Sequence, residues 1–258
     1  MKNAPVDQTP VHLYVIIPAA GHGRRMGGVS GKQFIPIGGI PVLARTLLAF
    51  EHFYEWQKYV RPFSMHGILV TSEESMEDAA AICEEYKINF IEKIIAGGPT
   101  RQASVWNGVC ALTGLASPPG EEDIVFIHDG ARCFVDSDTL LRCLNGAREH
   151  GVCTAAIPVK DTIKQVESAG SSKVAATPNR ATLYAVQTPQ AFLYPLLVES
   201  YSAGQKEKRS ATDDTSLAEA IGLPVYLVEG DYTNIKITTP EDLEWAELLK
   251  TRQNLVLP

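Results

Sequence analysis

The sequence predicts an α/β fold, a mainly parallel sheet flanked by helices. Short apolar runs alternate with stretches of helical periodicity along most of the 258 residues, which is how strands joined by covering helices read. The first apolar run, 13–17, empties into a glycine-rich loop, the geometry in which open α/β sheets bind ligands at the carboxyl ends of their strands. No linker, repeat or low-complexity segment divides the chain, so one domain over 1–258 is expected. The alternation breaks at 159–180, which reads as a projecting β-arm.

The elements follow in order. After the loop, 41–50 reads as a helix with Pro41 in its first turn, and 51–66 as a longer connection whose aromatics Phe53, Tyr54 and Trp56 favour an extra helical turn. A strand at 67–71 precedes a helix at 73–86 with Ala79, Ala80, Ile82 and Cys83 inward. The strand at 90–95 runs into Gly97-Gly98-Pro99-Thr100-Arg101, and the next helix carries Val105, Val109 and Leu112 on one face. The central strand, 123–127, ends in His128-Asp129-Gly130-Ala131-Arg132, and a helix at 139–150 takes Ser137 or Asp138 as cap. A strand at 152–158 leads to the arm, two short β-type stretches around a polar turn at 168–172. Such a hairpin has too little apolar surface for a core of its own, so it is expected to be exchanged between two protomers of a dimer. A strand at 183–186, a helix at 194–203, a helix starting at Thr212-Asp213-Asp214-Thr215 with both acids at its positive end, a strand at 224–229 and a terminal helix at 240–250 complete the reading.

Composition narrows the function. The net charge of −7 argues against a nucleic-acid surface and makes any local gathering of cations informative. No run approaches the roughly 18–20 apolar residues that span a bilayer, and residues 1–10 lack the apolar core of a secretory signal and the Arg/Ser-rich pattern of a transit peptide. Five cysteines without a C-x-x-C pair read as reduced thiols in a cytoplasm.

The loop 18–33 is the first candidate site. Backbone N–H groups at Gly21 and Gly23 can wrap an anion, and Arg24, Arg25 and Lys32 can neutralise charge spread over several oxygens, as in a polyphosphate. It is neither of two familiar loops. The third glycine of G-x-G-x-x-G is Met26, and Gly31-Lys32 lacks the P-loop's first glycine and its Ser/Thr. An oxidoreductase is disfavoured by the same missing glycine. At the second loop, Gly97-Gly98 lets backbone approach a base or sugar and Ser104 offers a hydroxyl, while Arg101 is equally readable as an exposed turn residue. At the third, an acid just past a buried strand with Arg132 three residues on could hold a divalent cation beside a phosphate through Asp129. His128 reads as structural.

Assembled in order, PAAGHGRRM, GKQF, GGPTRQAS, HDGAR, PVKDTIK, NR with QTPQAF, TDD and NIKITTPEDL resemble the 2-C-methyl-D-erythritol 4-phosphate cytidylyltransferase family of non-mevalonate isoprenoid synthesis, over almost the whole chain. The resemblance implies a Rossmann-like nucleotidyltransferase domain that joins CTP to a sugar phosphate with Mg²⁺ and acts as a homodimer through the arm. It implies that Arg25 and Lys32 stabilise the transition state and that Ala19, Ala20, Gly21, Gly23, Gly98 and Ser104 contact the nucleotide. Asp129, Arg132, Thr212 and Lys236 would lie on the sugar-phosphate side, with Thr162 and Arg180 arriving from the partner's arm and Arg180 and Lys236 taking part in catalysis. Asp129 is the implied metal ligand. The chain departs from the family at Gly31 (usually Pro), Pro99 (usually acidic or polar), Gly130 (usually Ala) and Cys133 (usually Pro). A ribitol 5-phosphate cytidylyltransferase shares the loop, arm and NIKIT segment and is the alternative, with Asp161-Thr162-Ile163-Lys164 favouring methylerythritol phosphate. A non-catalytic nucleotide-binding protein is the rival from another class, disfavoured because a binding module needs no transition-state cations.

Overall fold

The computed structural model describes residues 10–21 and 31–252, with the side chains of Lys32 and Arg252 excepted. Arg24, Arg25 and Gly23 therefore lie outside the described residues. β1 (Val11–Pro18) leads to a short 3₁₀ turn at Lys32–Phe34, then to a hairpin of β2 (Pro36–Ile37) and β3 (Ile40–Pro41). Next come α1 (Val42–Val60), β4 (Phe63–Thr71), α2 (Met76–Glu85), β5 (Ile91–Ala96), α3 (Arg101–Leu112), β6 (Ile124–Ile127), α4 (Ser137–His150) and β7 (Val152–Pro158). The arm is β8 (Gln165–Val166) and β9 (Val174–Ala176), followed by β10 (Tyr184–Leu193), α5 (Tyr194–Lys206), α6 (Thr215–Ala220), β11 (Tyr226–Glu229) and α7 (Pro240–Leu249).

Seven strands form one sheet in the order β11-β7-β10-β6-β1-β4-β5, parallel except for β10. Its two faces follow from the alternation of side chains along a strand. Leu13, Val15 and Ile17 of β1 pack with α1, α2 and α4 through Leu47, Phe50, Ile82 and Leu144. Tyr14 and Ile16 face the opposite layer, where α3, α5 and α6 contribute Val105, Val109, Leu197, Tyr201 and Leu217. Both faces are thus covered, and the strands read as almost unbroken apolar runs for that reason. A third, small cluster of Ile37, Val42, Cys133, Ile237 and Ala246 sits where the β2–β3 hairpin meets α7.

Several expected boundaries are corrected. The stretch 51–66 is not a long connection: the extra helix expected from its aromatics is the continuation of α1 to Val60, where Phe53 extends the inward face, and β4 begins at Phe63. Glu51, buried inside that helix, accepts bonds from the backbone N–H of Asn89 and from its side-chain amide, both 3.0 Å, fastening the turn before β5. Residues Tyr184–Leu193 form one ten-residue strand, not a short strand and a loop. Pro189 argues against a central strand on sequence grounds, but it sits in a register shift between Val186 and Gln190, after a cis Thr188–Pro189 bond, where the ladder needs no N–H from it. The cap of α4 is Asp136, whose carboxylate accepts from the Thr139 N–H at 2.6 Å.

Candidate active site

All parallel strands deliver their carboxyl ends to one edge of the sheet, and the candidate residues gather there because chain topology leaves them nowhere else to go. From β1 come Ala19, held by a 2.6 Å backbone bond to Val70, then Ala20 and Gly21; from β4 come Ser72, Glu73 and Glu74; from β5 come Gly97 and Gly98. An open cavity of about 370 Å³ is lined by Ala20, Ser72, Glu73, Glu74, Gly97 and Gly98. Its floor depends on missing side chains: a Cβ on Gly97 would stand 2.6 Å from the Ala20 Cβ and 2.8 Å from the Ser104 Oγ. The Ser104 hydroxyl is committed to the loop itself, accepting from the Gly98 N–H at 3.0 Å and donating to the Thr100 carbonyl at 2.9 Å. Ser104 thus shapes the glycine turn, and what the turn offers outward is backbone.

The centre of the edge is Asp129, 6% exposed. The turn that presents it is fixed by a hydrogen-bond chain with one possible proton arrangement. His128 Nε2 lies 3.0 Å from the Arg132 carbonyl, which can only accept, so the proton is on Nε2. His128 Nδ1 therefore accepts from the Thr188 hydroxyl at 3.1 Å, and that hydroxyl accepts the Asp129 N–H at 3.1 Å. Burial pushes the His128 pKa down to about 4, so the ring is neutral and structural. The Gly130 position is tight: a Cβ there would come 3.0 Å from that of Ala19.

Three cations converge on this carboxylate. Arg101 Nε reaches Oδ1 at 2.9 Å, Lys236 Nζ reaches Oδ2 at 2.7 Å, and Arg132 Nε stands 3.8 Å from Oδ2. Burial acts to raise the Asp129 pKa, but the charges of Arg101 and Lys236 outweigh it and hold the carboxyl well below the usual range. Lys236 arrives because 231–237 docks on the β10 bulge: Asn234 Nδ2 donates to the Thr188 carbonyl at 2.9 Å, Arg132 donates to the Asn234 carbonyl at 2.8 Å, and the Ile237 N–H bonds the Ala131 carbonyl at 2.9 Å. The set does not fit a divalent cation, since both oxygens of Asp129 already accept charged donors and three positive side chains surround it. Among the described residues no group of three or more His, Cys, Asp or Glu is placed to hold a metal ion.

Arg101, readable from sequence as an exposed turn residue, is part of the cluster. Beyond Asp129 it forms a two-pronged contact with Asp214, Nη1 to Oδ1 at 3.0 Å and Nη2 to Oδ2 at 2.7 Å. The two acids at the start of α6 thus divide their work: Asp213 accepts the Ser216 N–H at 2.9 Å as a helix-start acid does, while Asp214 turns inward. Thr212 is exposed at the entrance of that turn.

Thr162 and Arg180 are exposed on the arm, and Arg180 donates to its own chain's Lys160 carbonyl at 2.6 Å instead of joining the Asp129 cluster. Gly31 has φ +82°, a conformation closed to proline and open to glycine, and in it the chain turns into Lys32. Cys133 is fully buried and its thiol is pushed up to about 12 by burial, so it packs the third cluster and is chemically quiet.

A covered, mostly parallel sheet whose carboxyl edge joins a glycine-floored cavity to a cation cluster defines an α/β protein of the nucleotidyltransferase type. The profile of the IspD family, 2-C-methyl-D-erythritol 4-phosphate cytidylyltransferase, matches residues 13–252, and the chain belongs to this family. The enzyme of that name from Geobacter metallireducens is 42% identical over 237 residues, 91% of this chain and 96% of the relative, and the one from Synechococcus elongatus is 41% identical over 242 residues, 93% and 97%. Among solved structures, 4-diphosphocytidyl-2C-methyl-D-erythritol synthase from Anaerococcus prevotii superposes with a TM-score of 0.76 at 32% identity, covering 94% of this chain and 99% of that one. The 2-C-methyl-D-erythritol 4-phosphate cytidylyltransferase of Thermus thermophilus gives 0.70 at 32% identity, covering 93% and 100%. The ribitol alternative finds no support among these relatives.

Proposed function

We propose that the chain transfers CMP from CTP to 2-C-methyl-D-erythritol 4-phosphate, forming 4-diphosphocytidyl-2-C-methyl-D-erythritol and pyrophosphate for isoprenoid precursor synthesis. The observation that supports it most is the convergence of Arg101, Arg132 and Lys236 on buried Asp129 beside the Gly97-Gly98 cavity. In this reading Ala19, Ala20, Gly21, Gly23, Gly98 and Ser104 form the nucleotide side, and Arg25 and Lys32 face the triphosphate. Asp129, Arg132, Thr212 and Lys236 form the sugar-phosphate side.

A phosphate oxygen of the sugar substrate attacks the α-phosphorus of CTP in line. The new P–O bond forms as the bond from the α-phosphorus to the bridging oxygen breaks, and the electron pair leaves with pyrophosphate. The nucleophile is already ionised at neutral pH, so the protein has no proton to remove; its task is to bring two anions together and neutralise them. Lys236 suits this, being a single ammonium that can pass from Asp129 Oδ2 to a phosphate oxygen while Arg101 keeps Asp129 paired. A divalent cation, as nucleotidyltransferases use, would enter on the triphosphate and not on Asp129, and would offset phosphate charge there.

The reading also takes the arm into a partner copy. The arm carries exposed Ile163, Val166 and Val174, and β10 and β11 at its base expose Tyr184, Val186, Tyr226 and Leu227. An apolar surface of that extent on a hairpin without its own core supports a second copy of the chain as occupant, with Thr162 and Arg180 reaching the partner's site. The cysteines, none joined in a disulfide among the described residues, support a reducing cytoplasm; no helix among the described residues is long and apolar enough to cross a membrane. Pyrophosphate release is measured with CTP, Mg²⁺ and either 2-C-methyl-D-erythritol 4-phosphate or ribitol 5-phosphate. Release with the first alone is expected; release with the second alone changes the substrate, and none with either removes the enzymatic reading.

A further inference from the structure

The transfer reaction gives Arg101 only the pairing of Asp129 and leaves two buried groups behind it, Asp214 and Tyr201, without a part. Asp214 is 1% exposed and receives, besides both Arg101 prongs, the Tyr201 hydroxyl on Oδ1 at 2.5 Å. Its backbone is fastened as well, the Asp214 N–H donating to Gln190 Oε1 at 2.7 Å while Gln190 Nε2 donates to Asp213 at 2.9 Å. Tyr201 is itself immobilised, fully buried and stacked on Trp106 of α3 at 5.8 Å and 7°.

We infer that Asp214, braced by Tyr201, is a positioning residue for the transfer: it locks Arg101 in plane so that Arg101 holds Asp129 Oδ1 and leaves Oδ2 to manage the substrate-facing cations. A two-pronged carboxylate–guanidinium contact fixes the plane of the guanidinium, not merely its distance. With that plane fixed, the third edge of Arg101, Nε, points at Asp129. Lys236 and Arg132 both approach the other oxygen, Oδ2. The cluster therefore splits into a rigid strut and an exchangeable pair. Arg101 cannot leave for a phosphate without leaving Asp214 a buried carboxylate with only the neutral Tyr201 hydroxyl to answer its charge, a strongly unfavourable state. Lys236, its side chain 34% exposed and joined to Asp129 by one contact, can leave, because Asp129 keeps Arg101. Opposite charges on the two sides of Arg101 also account for its raised pKa: burial works against the cation, and Asp214 and Asp129 together overcome it.

The inference rests on the transfer reading and extends it to residues some 113 positions apart in the chain, Arg101 and Asp214. The experiment is steady-state kinetics on Asp214→Asn, Tyr201→Phe, Arg101→Gln and Arg101→Lys, with melting temperature and circular dichroism in parallel. A loosened strut misplaces Asp129 by a fraction of an ångström to an ångström, and misplacement of that order costs up to about 100-fold. Asp214→Asn is expected to lower kcat by about 10- to 100-fold with the KM for CTP within about threefold, and Tyr201→Phe, which keeps the ring stack, by about three- to tenfold. Arg101→Lys is expected to be as impaired as Arg101→Gln, since one ammonium cannot hold two carboxylates in a fixed plane. A merely structural role would lower the melting temperature and leave kcat per folded site unchanged. Folded Asp214→Asn and Tyr201→Phe with kcat within about twofold of wild type would overturn the inference, as would a rise in CTP KM at unchanged kcat, which would make Arg101 a triphosphate ligand. If Asp214→Asn fails to fold, Tyr201→Phe decides by the same criteria. Wild type assayed alongside separates the failures: an inactive wild type overturns the transfer reading, and with it this inference, whereas an active wild type with unimpaired variants overturns the inference alone.

Discussion

Replacing Asp129 by Asn removes the charge on which three cations converge while keeping the side chain's shape. The Arg101 contact, between groups 30% and 9% exposed, is a charge-assisted bond of about 1.5–3 kcal/mol. The Lys236 contact involves a side chain 34% exposed and is discounted for solvent to about 0.5–1 kcal/mol. Arg132 at 3.8 Å adds little on this scale. Asn retains one acceptor oxygen, so the loss falls at about 2–4 kcal/mol, below the 3–5 kcal/mol typical of stripping a fully buried pair. For a chain of this length about 1 kcal/mol moves the melting temperature by roughly 2–4 °C, and the variant is expected to melt about 4–16 °C below wild type at pH 7. The pH dependence carries the sign. The carboxyl is depressed by its cations, so its contribution is full above the ordinary carboxylate pKa of 3.8 and fades as pH falls below it; the gap between the two proteins should narrow in acid. Thermal melts of both proteins across that range decide it, and a variant that melts within about 1 °C of wild type at neutral pH would refute the view that these cations depend on Asp129.

Other expectations follow from the same groups. Arg25→Ala and Lys32→Ala should each lower turnover by about 100- to 1,000-fold without unfolding, read by pyrophosphate release beside circular dichroism; near-normal turnover would remove that residue from charge neutralisation. Buried His128, with its pKa near 4 against an ordinary 6.5, must be neutral to fit between Thr188 and Arg132, so stability is full above about pH 6.5 and declines toward pH 4. Denaturation midpoints across that range should show the decline, and His128→Gln should flatten it. If the arm crosses between copies, mixing Arg180→Ala and Lys236→Ala chains should restore turnover that neither has alone, because the mixed dimer contains one site free of both changes.

What the sequence makes legible is what local chemistry writes locally. The alternation of apolar and helical periods in the chain places β1, β4, β5, β6 and β7 on a covered sheet, and glycine-rich or acidic residues just past strand ends mark the binding edge. β10 is obscured because Pro189 reads as a strand breaker, and only the register shift against β7 shows why it is tolerated. The end of α1 is obscured because Glu51 and Gln57, polar in sequence, are buried in the fold. At the site, Asp129 and Arg132 are visible as a strand-end acid with a cation and Lys236 only through the family resemblance, while the inward role of Arg101 is not visible. Arg101 and Asp214 each sit at a helix start, where local chemistry reads a solvated turn residue and a dipole-facing acid, and nothing in either neighbourhood announces a partner over a hundred residues away. The same limit applies to Ser104: its hydroxyl is visible in the sequence, but its commitment to the Gly98 turn is a property of the folded loop.

The reaction itself is tested most directly by following the α-phosphate. With CTP labelled at that phosphorus and 2-C-methyl-D-erythritol 4-phosphate present, the label is expected in a CMP–sugar diphosphate formed one-for-one with pyrophosphate. Label that stays in CTP, or that emerges as free CMP, would contradict transfer to the sugar phosphate.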